Sequence, residues 1–390
     1  MDVDLRDTPA EAEFRAEVRQ WLAENLVGEF AAARGVGGPA DPVHWEVRLA
    51  WERKLAEAKL LNISWPTEYG GRGGTLAQEI VFLQEHATAA APYWVGTQGR
   101  DLFGPTLLHH GSDELKARFL PKITAAEEFW AQGFSEPGSG SDLASLRTKA
   151  VRDGDEWVIN GQKIWTTFGA YADWLYVLCR TDPDAPAHRG ISMLLIPADQ
   201  PGVDIRPIQT LAGTMEFCEV FFSDARTKAD LVVGPLNGGW KVAMGTVGSE
   251  RLLTTLPYQY MFERELRDLI AVLKDRGRTK DPLVRQKLAE AWIGLEVIRY
   301  TNMRMITSLM RTGTLNEESS ISKLQWSEWH RSLGELEMLL LGPAAEVVGE
   351  DYGLDLFQNS FLTSRAETIY GGANQIQRSI VGERILGLPR

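Results

Sequence analysis

The chain has little of the two residue types on which metal sites and disulfide frameworks depend. It contains two cysteines and six histidines among 390 residues, and none of them stands at the spacing of metal ligands. Cys179 and Cys218 lie in separate apolar, strand-like stretches, where cysteine usually serves as a small buried hydrophobe. The sequence therefore predicts reduced core thiols, no disulfide bond and no metal site.

Long apolar runs and an excess of basic residues are also missing. No apolar run approaches the ~20 residues that span a bilayer, and the acidic, polar start MDVDLRDTPAEAEF is unlike a signal or transit peptide. The net charge of −12 disfavours nucleic acid or an anionic membrane surface as the main partner. We expect a cytoplasmic protein that binds neither nucleic acid nor membrane.

The first third of the chain has the pattern of helices. Thr8 is followed by Pro9 and, three positions after the threonine, by Glu11; this order is typical of a capping box with proline at the first helical position. Apolar residues then recur at helical spacing from Phe14 onward. A glycine-rich loop, TEYGGRGGT, precedes a second helical stretch that begins near Leu76.

The middle of the chain changes to short runs of β-branched and aromatic residues. Two turn signals, Asp153-Gly154 and Asn160-Gly161, are each flanked by strand-forming residues, a pattern that favours hairpins. The sequence predicts an antiparallel β domain of about seven strands here.

The last part returns to helical periodicity. One helix is expected to end at Gly313, since glycine is common just past a helix terminus. In FERELRDLIAVLKDRG one face collects the apolar residues Phe262, Leu266, Leu269, Ile270 and Leu273. Helices, then strands, then helices predict an α+β fold with an N-terminal helical domain (residues 1–130), a middle β domain (131–235) and a C-terminal helical bundle (236–390).

Two motifs of the middle part suggest ligand chemistry. FSEPGSGSD, residues 134–142, could place backbone N–H groups around an anion, although a plain Gly/Ser turn has the same composition. KIWTTFG, residues 163–169, could present an indole to a flat heteroaromatic ligand beside hydroxyl groups. A tryptophan buried at a strand end would give the same letters, so both interpretations stay open on these residues alone.

Taken with IYGGANQIQR, residues 369–378, these motifs are similar in order and spacing to those of the acyl-CoA dehydrogenase family. The resemblance covers nearly the whole chain. It implies FAD as the cofactor and α,β-dehydrogenation of an acyl-CoA thioester, in which a carboxylate removes the α-proton and the β-hydrogen leaves as hydride to the flavin. It also implies an electron-transfer flavoprotein as the electron acceptor.

The resemblance assigns roles to particular residues. Phe134, Ser135 and Thr167 would contact the isoalloxazine, Trp165 would stack on it, and Ser141 would lie near the CoA. The full set of cofactor-binding positions that it implies is Phe134, Ser135, Gly140, Ser141, Trp165, Thr167, Arg276 and Gln375. The substrate-binding positions that it implies are Ser141, Arg251, Gly371 and Gly372.

The catalytic glutamate that usually follows the Ile-Tyr pair in this family is replaced here by Gly371. In some members, such as isovaleryl-CoA and long-chain dehydrogenases, the glutamate comes from another helix. NGGWKVAMGTVGSERLL has Glu250 at the matching place, in an otherwise apolar segment and next to Arg251. A purely structural pair of these two neighbours is the alternative, but adjacent helical side chains point about 100° apart. We predict Glu250 as the base and Gly371 as a backbone N–H donor to the thioester oxygen.

Two family segments that reach the cofactor of a neighbouring subunit are altered in this chain. The Arg-x-x-Phe-Gly segment is replaced by LKDRGRTKDPLVRQKL, where only Arg276 or Arg278 could substitute, and a Gly-Gly-x-Gly turn is replaced by LLLGPAAEVVG. FRAEVRQWLAENL and SWPTEYGGRG resemble the catalytic subunit of bacterial dehydrogenases of steroid side-chain CoA thioesters, which form α2β2 tetramers with a homologous subunit. A bulky acyl group and such a partner are therefore expected; a homo-tetramer is the alternative.

Two other functions fit the same scaffold. One is a flavin-dependent oxidase or monooxygenase, because a fold does not determine its chemistry. The other is a non-catalytic subunit that completes a partner's flavin site. Trp165, Ser141 and Glu250 disfavour the second, since a scaffold would have no need of them.

Overall fold

The computed structural model describes residues 7–38, 42–253, 255–312 and 318–389, without the side chains of 247–256, 312–318 and 351. The chain forms two compact units: the first comprises residues 1–208 and 215–249, and the second comprises 209–214 and 250–390. Within the described ranges, no helix has both the length and the apolar character needed to cross a bilayer. The predicted helix end at Gly313 lies outside the described residues.

The architecture is helical, then β, then helical, which confirms the predicted α+β fold class. The α-helices are α1 (Pro9–Asn25), α2 (Glu29–Ala32), α3 (Trp45–Glu57), α4 (Leu76–Thr88), α5 (Gly104–His110), α6 (Asp113–Thr124), α7 (Gly239–Leu253), α8 (Thr255–Asp275), α9 (Pro282–Thr312), α10 (Glu318–Leu341), α11 (Leu356–Glu367) and α12 (Asn374–Ile380). The strands are β1 (Trp130–Gly133), β2 (Lys149–Asp153), β3 (Glu156–Thr167), β4 (Trp174–Arg180), β5 (Ile191–Pro197), β6 (Val203–Ile208), β7 (Phe217–Lys228) and β8 (Val232–Val233).

Helix α1 begins as its sequence predicts. The Thr8 hydroxyl accepts the Glu11 N–H at 3.3 Å, and the Glu11 carboxylate accepts the Thr8 N–H at 2.7 Å. The reciprocal bonds satisfy two donors that a helix start leaves unpaired. From that start, Phe14, Val18 and Leu22 follow at four-residue intervals and are buried, and this stripe packs α1 against α4.

The sheet differs from the predicted antiparallel domain of about seven strands. In the described part of the chain it has eight strands, in the order β6-β7-β3-β2-β4-β5-β8, with β1 paired to β4. Strand β1 runs parallel to β4, from Trp130 opposite Trp174 to Gly133 opposite Val177. The β2–β3 hairpin separates β1 from β4 in sequence. This long connection returns the chain to the end of the sheet at which β1 began, so β4 runs in the same direction as β1.

One of the two predicted hairpin turns is wrong. Asp153 pairs with Glu156 across a tight turn, as expected. Asn160-Gly161 instead lies inside β3, at a β-bulge that shifts the register of the pairing with β7. A Cβ on Gly161 would stand 2.5 Å from the Thr148 hydroxyl oxygen. This glycine is required by the close approach of a neighbouring segment, which an Asn-Gly pair in the sequence does not distinguish from a turn.

The sheet of the first unit is covered by an apolar cluster on each of its two faces. Helices α5 and α6 bury Leu107, Phe119 and Leu120 against the face that carries Trp130 and Tyr176. The opposite face has its own cluster, centred on strands β3, β4, β5 and β7.

The second unit is a helical bundle. On α8, Phe262, Leu266, Leu269 and Leu273 are buried and Ile270 packs at the edge of the cluster, so the predicted apolar face is confirmed. Helices α9, α10 and α11 complete this core.

Candidate functional site

The loop of residues 134–142 is a tight turn built by its own backbone. Glu136 and Ser139 exchange both N–H···O bonds, at 2.9 and 3.0 Å, and the Ser139 hydroxyl donates to the Asp142 carbonyl at 2.9 Å. A Cβ on Gly138 or Gly140 would meet nothing within 4 Å. Neither glycine is therefore required by packing inside the chain, and this edge of the loop, including the exposed Ser141, is open.

The loop is joined to strand β3 beside Trp165. The Ile164 N–H donates to the Ser135 carbonyl at 3.0 Å, so the loop and the bulged end of β3 form one surface. The Phe134 ring is buried edge-on against Tyr176. Phe134 can therefore meet a ligand only through its backbone, whereas Ser135 is half-buried.

Trp165 lies outside the core, which excludes the structural interpretation left open by the sequence. A bulge interrupts the β3–β7 ladder between Lys163 and Thr166, and Trp165 takes φ = 61° there. A bulky residue in this left-handed region is an outlier that costs on the order of 1–3 kcal/mol. Its indole is 56% exposed and touches Phe217 edge-on, with centroids 6.0 Å apart. The strained backbone thus presents a flat aromatic face to the outside.

The hydroxyl groups that follow Trp165 include one that sequence reasoning missed. Thr167 is half-buried, as a contact residue would be, but Thr166 is fully buried. Within the described part of the chain, the Thr166 hydroxyl has no hydrogen-bond partner, and an unpaired buried hydroxyl is costly. An exposed indole beside the half-buried Thr167 hydroxyl fits a flat heteroaromatic group with ring acceptors.

In the second unit, the segment of residues 369–378 forms a glycine turn between α11 and α12. Gly371 and Gly372 have φ of 63° and 90°, and the Gln377 amide donates to both of their carbonyls, at 3.1 and 3.2 Å. The turn is held from one side, by its carbonyl oxygens. Only glycine adopts two successive left-handed conformations at little cost.

Asn374 anchors the far end of this turn to α10. Its Oδ1 accepts bonds from the buried Lys323 ammonium at 2.9 Å and the Ser327 hydroxyl at 3.0 Å, while its amide donates to Glu328 at 3.0 Å. An open polar depression of about 350 Å³ adjoins this anchor and includes the exposed Gln375; it is lined by Glu328, Arg331, Thr368, Ile369, Asn374, Gln375 and Arg378.

The two arginines considered for the altered segment have different positions. The Arg278 guanidinium donates to the Leu340 carbonyl at 2.5 Å and so caps the last turn of α10, a common role for arginine. Arg276 is exposed just past the end of α8. Of these two arginines, Arg278 has a structural role at the end of α10, and Arg276 has no such role in the described part of the chain.

Helix α7 carries Glu250 and Arg251, whose side chains lie outside the described residues. One turn before Glu250, the buried Thr246 hydroxyl accepts a bond from the Thr106 hydroxyl of α5 at 2.8 Å. A Cβ on Gly245 would stand 3.0 Å from the His110 Nε2 atom. Close packing on α5 therefore fixes the part of α7 that precedes Glu250.

The second unit contains a buried charged cluster that could not be predicted from the sequence, because its members come from three different helices. The His330 imidazole lies 2.6 Å from a Glu367 carboxylate oxygen and 3.0 Å from Glu265, and the Ser360 hydroxyl donates to Glu265. Burial alone lowers the pKa of His330, but the Glu367 and Glu265 carboxylates outweigh it and raise that pKa well above its usual value. Burial, and then the Glu265 carboxylate, raise the pKa of Glu337 to about 10.

We expect Glu337→Gln to stabilise the second unit at pH 8 and to change little at pH 4.5. In the unfolded chain this carboxyl ionises near its usual pKa, whereas the folded protein keeps it neutral. A raised acid pKa therefore costs stability progressively as pH rises from about 4.5. Removing the carboxyl should recover roughly a few kcal/mol at pH 8, measured by urea unfolding at both pH values. Glu335→Gln, an exposed glutamate on the same helix, is the control, and equal effects of the two variants would contradict the prediction.

Three family models match the chain in sequence order. The N-terminal, middle and C-terminal domain models of acyl-CoA dehydrogenase match residues 8–127, 131–225 and 237–386, respectively. The chain belongs to the acyl-CoA dehydrogenase family and is an oxidoreductase of that class. The members of this family are FAD-dependent flavoproteins, and FAD is its cofactor. The exposed Trp165 and the half-buried Thr167 beside it fit this group.

The chain is similar to particular proteins over nearly its full length. It is 48% identical to acyl-CoA dehydrogenase IpdE1 of Mycobacterium tuberculosis, a match that covers 97% of this chain and 98% of that protein. Among solved structures, it resembles the Tcur3481-Tcur3483 steroid ACAD, with 33% identity, a TM-score of 0.86 and 100% coverage of both chains. It also resembles the ChsE4-ChsE5 complex from Mycobacterium tuberculosis, with 33% identity, a TM-score of 0.82 and 100% coverage of both chains.

Proposed function

We propose that this acyl-CoA dehydrogenase acts on a bulky acyl-CoA, of the steroid side-chain or branched type, with Glu250 as the base. The observation that carries this proposal is the turn at Gly371 and Gly372. Both residues have left-handed backbones and no side chain, and Gln377 holds their carbonyls. The position where many family members carry the catalytic carboxylate therefore has no side chain and presents backbone N–H groups instead.

The base must come from elsewhere, because the α-proton of a thioester is only weakly acidic. Removing it requires a positioned base and donors for the charge that develops on the thioester oxygen. Glu250 lies on α7, whose preceding turn is fixed by Thr246. We assign proton removal to Glu250, hydrogen bonding of the thioester oxygen to the Gly371 N–H, and contacts with the substrate to Arg251, Gly372 and Ser141.

The first unit supplies the flavin contacts in this proposal. FAD, when bound, would supply the acceptor for the β-hydrogen, which leaves as hydride. Trp165 would pack on its ring, and the backbone of Phe134 together with Ser135 and Thr167 would provide hydrogen bonds. The exposed indole and the open glycine edge of the 134–142 loop support these roles. Gly140, Ser141, Gln375 and Arg276 complete the proposed cofactor contacts.

A homologous subunit is the proposed partner, in an α2β2 assembly. Two structural neighbours with 33% identity, the Tcur3481-Tcur3483 steroid ACAD and the ChsE4-ChsE5 complex, are each named for two proteins. In this chain the Phe-Gly of the segment that reaches a neighbour's cofactor is missing, and Arg278 is engaged by the Leu340 carbonyl. We propose an electron-transfer flavoprotein as the acceptor; the cytoplasmic location stays a prediction.

The test is flavin bleaching by a panel of CoA thioesters under anaerobic conditions. The chain is co-expressed with a homologous acyl-CoA dehydrogenase subunit as candidate partner, and steroid side-chain, branched and straight-chain thioesters are compared at equal concentration. Bulky thioesters should reduce the flavin at least about tenfold faster, a difference of ~1.4 kcal/mol in the barrier. Preference for straight chains would contradict the substrate class. Rapid reoxidation by dioxygen would favour the oxidase alternative instead.

A further inference from the structure

Lys163 is a fully buried lysine whose surroundings are arranged around its charge. Its side chain is 0% exposed, and its ammonium lies 2.8 Å from a Glu136 carboxylate oxygen. The ammonium also donates to the Phe134 carbonyl at 3.0 Å. Lysine is almost never fully buried without a partner, and here both acceptors belong to the loop that precedes the glycine turn.

The carboxylate of Glu136 connects this pair to a third segment. It accepts the backbone N–H groups of Arg147 and Thr148, at 2.7 and 2.8 Å. Burial alone raises the pKa of Glu136, but Lys163 and these amides outweigh it and lower that pKa. One ion pair therefore ties together the loop at 134–136, the entry to β2 and strand β3.

Stability alone is a weak reason for such a pair. Desolvation of two buried charges offsets most of their attraction, and apolar replacements of a buried pair are often neutral or stabilising. The pair instead determines where the loop lies relative to β3. Two residues after Lys163, in the bulge, the chain takes the strained conformation that exposes Trp165.

We propose that Lys163 and Glu136 are positioning residues for flavin recognition. They hold the Phe134–Ser135 backbone at a fixed distance from the indole of Trp165, so that the flavin ring meets both. Neither residue touches the cofactor itself. This inference rests on the flavin roles proposed above for Ser135 and Trp165.

The experiment measures FAD affinity separately from stability. The purified protein, with its partner where one is needed, is stripped of flavin and titrated with FAD; wild type must recover its full flavin content. Lys163→Met removes the ammonium and should weaken FAD binding at least about tenfold, as expected for loss of a charge-assisted bond that holds the loop. It should also shift the visible spectrum of the flavin that still binds.

Glu52→Gln is a matched control for buried carboxylates. Glu52 is buried and accepts two backbone N–H groups, from Val95 and Gly96, both at 2.9 Å, just as Glu136 accepts two. Glu136→Gln should weaken FAD binding, whereas Glu52→Gln should lower the thermal midpoint with an FAD dissociation constant within about twofold of wild type. Equal losses of FAD affinity in both variants would overturn the proposal.

The double variant Lys163→Met with Glu136→Gln separates positioning from stability. This variant has no buried charge at either position of the pair, so its stability should recover relative to Lys163→Met. The Phe134 carbonyl still lacks its donor, so FAD affinity should stay low. Recovery of both would show a structural role only and overturn the proposal. If Lys163→Met does not fold, the double variant alone decides, by its FAD affinity.

Trp165→Ala distinguishes a failure of the positioning role from a failure of the proposed flavin contact on which it rests. Unchanged FAD affinity in Trp165→Ala would show that the flavin role of the indole is wrong. Weakened affinity in Trp165→Ala with unchanged affinity in Lys163→Met would overturn the positioning role alone.

Discussion

Glu250→Gln is expected to retain FAD and to lose flavin reduction by acyl-CoA by a factor of at least about 10³. A positioned general base typically contributes 10²–10⁴-fold, and the amide cannot accept a proton. Gly371 offers no side chain that could replace the base. Rapid mixing of the oxidised protein with a thioester under anaerobic conditions measures the rate of bleaching directly. Turnover near that of wild type would show that Glu250 is not the base.

Gly371→Glu is the companion variant, alone and combined with Glu250→Gln. It places a carboxylate at the common family position, but that residue must adopt φ near 63°, which costs about 1–2 kcal/mol for a residue with a Cβ. The new side chain also adds volume at a turn that lines the acyl site in the proposed function. We expect partial recovery of flavin reduction in the double variant, confined to slimmer thioesters. If Gly371→Glu altered neither activity nor substrate preference, the turn would not line the acyl site.

The chain purified without a partner is expected to hold FAD weakly and to be largely colourless. The two phosphates of FAD carry negative charge that arginines and backbone donors of an adjacent subunit normally meet in this family. Each charge-assisted hydrogen bond lost costs on the order of 1.5–3 kcal/mol. Two or three losses weaken binding by several powers of ten. With a homologous subunit, flavin-to-protein stoichiometry should be about one FAD per heterodimer, since in the proposed assembly only one of the two sites would be complete.

Arg276→Ala tests the alternative assembly. In a homo-tetramer, the exposed Arg276 would have to supply the missing contact, because the Arg278 guanidinium is bound to the Leu340 carbonyl. Arg276→Ala should then release FAD from the homo-oligomer, whereas a heteromer, in which the partner supplies further phosphate contacts, should lose less of its FAD. A purified homo-oligomer with one tightly bound FAD per chain would contradict the partner proposal.

Features that depend on neighbours in sequence could be predicted from the sequence. The Thr8–Glu11 capping box and the apolar face of α8 depend on residues that are three or four positions apart. Such spacings can be read directly from the sequence. The α+β class follows from the change of period along the chain, from helical to alternating and back. The motifs that carry the family resemblance are likewise contiguous segments.

Only the tertiary structure decided the features that depend on distant partners. The Asn160-Gly161 pair is typical of a hairpin turn, but it forms a β-bulge, where Thr148 approaches closely. The residues around Trp165 fit a core tryptophan and an exposed one equally well, and it is the strained bulge in β3 that places its indole outside. The buried charges of Lys163 and His330 acquire their partners from segments that are far away in sequence. Burial and charge pairing are set by the packed chain as a whole, so no local pattern of residues could have determined them.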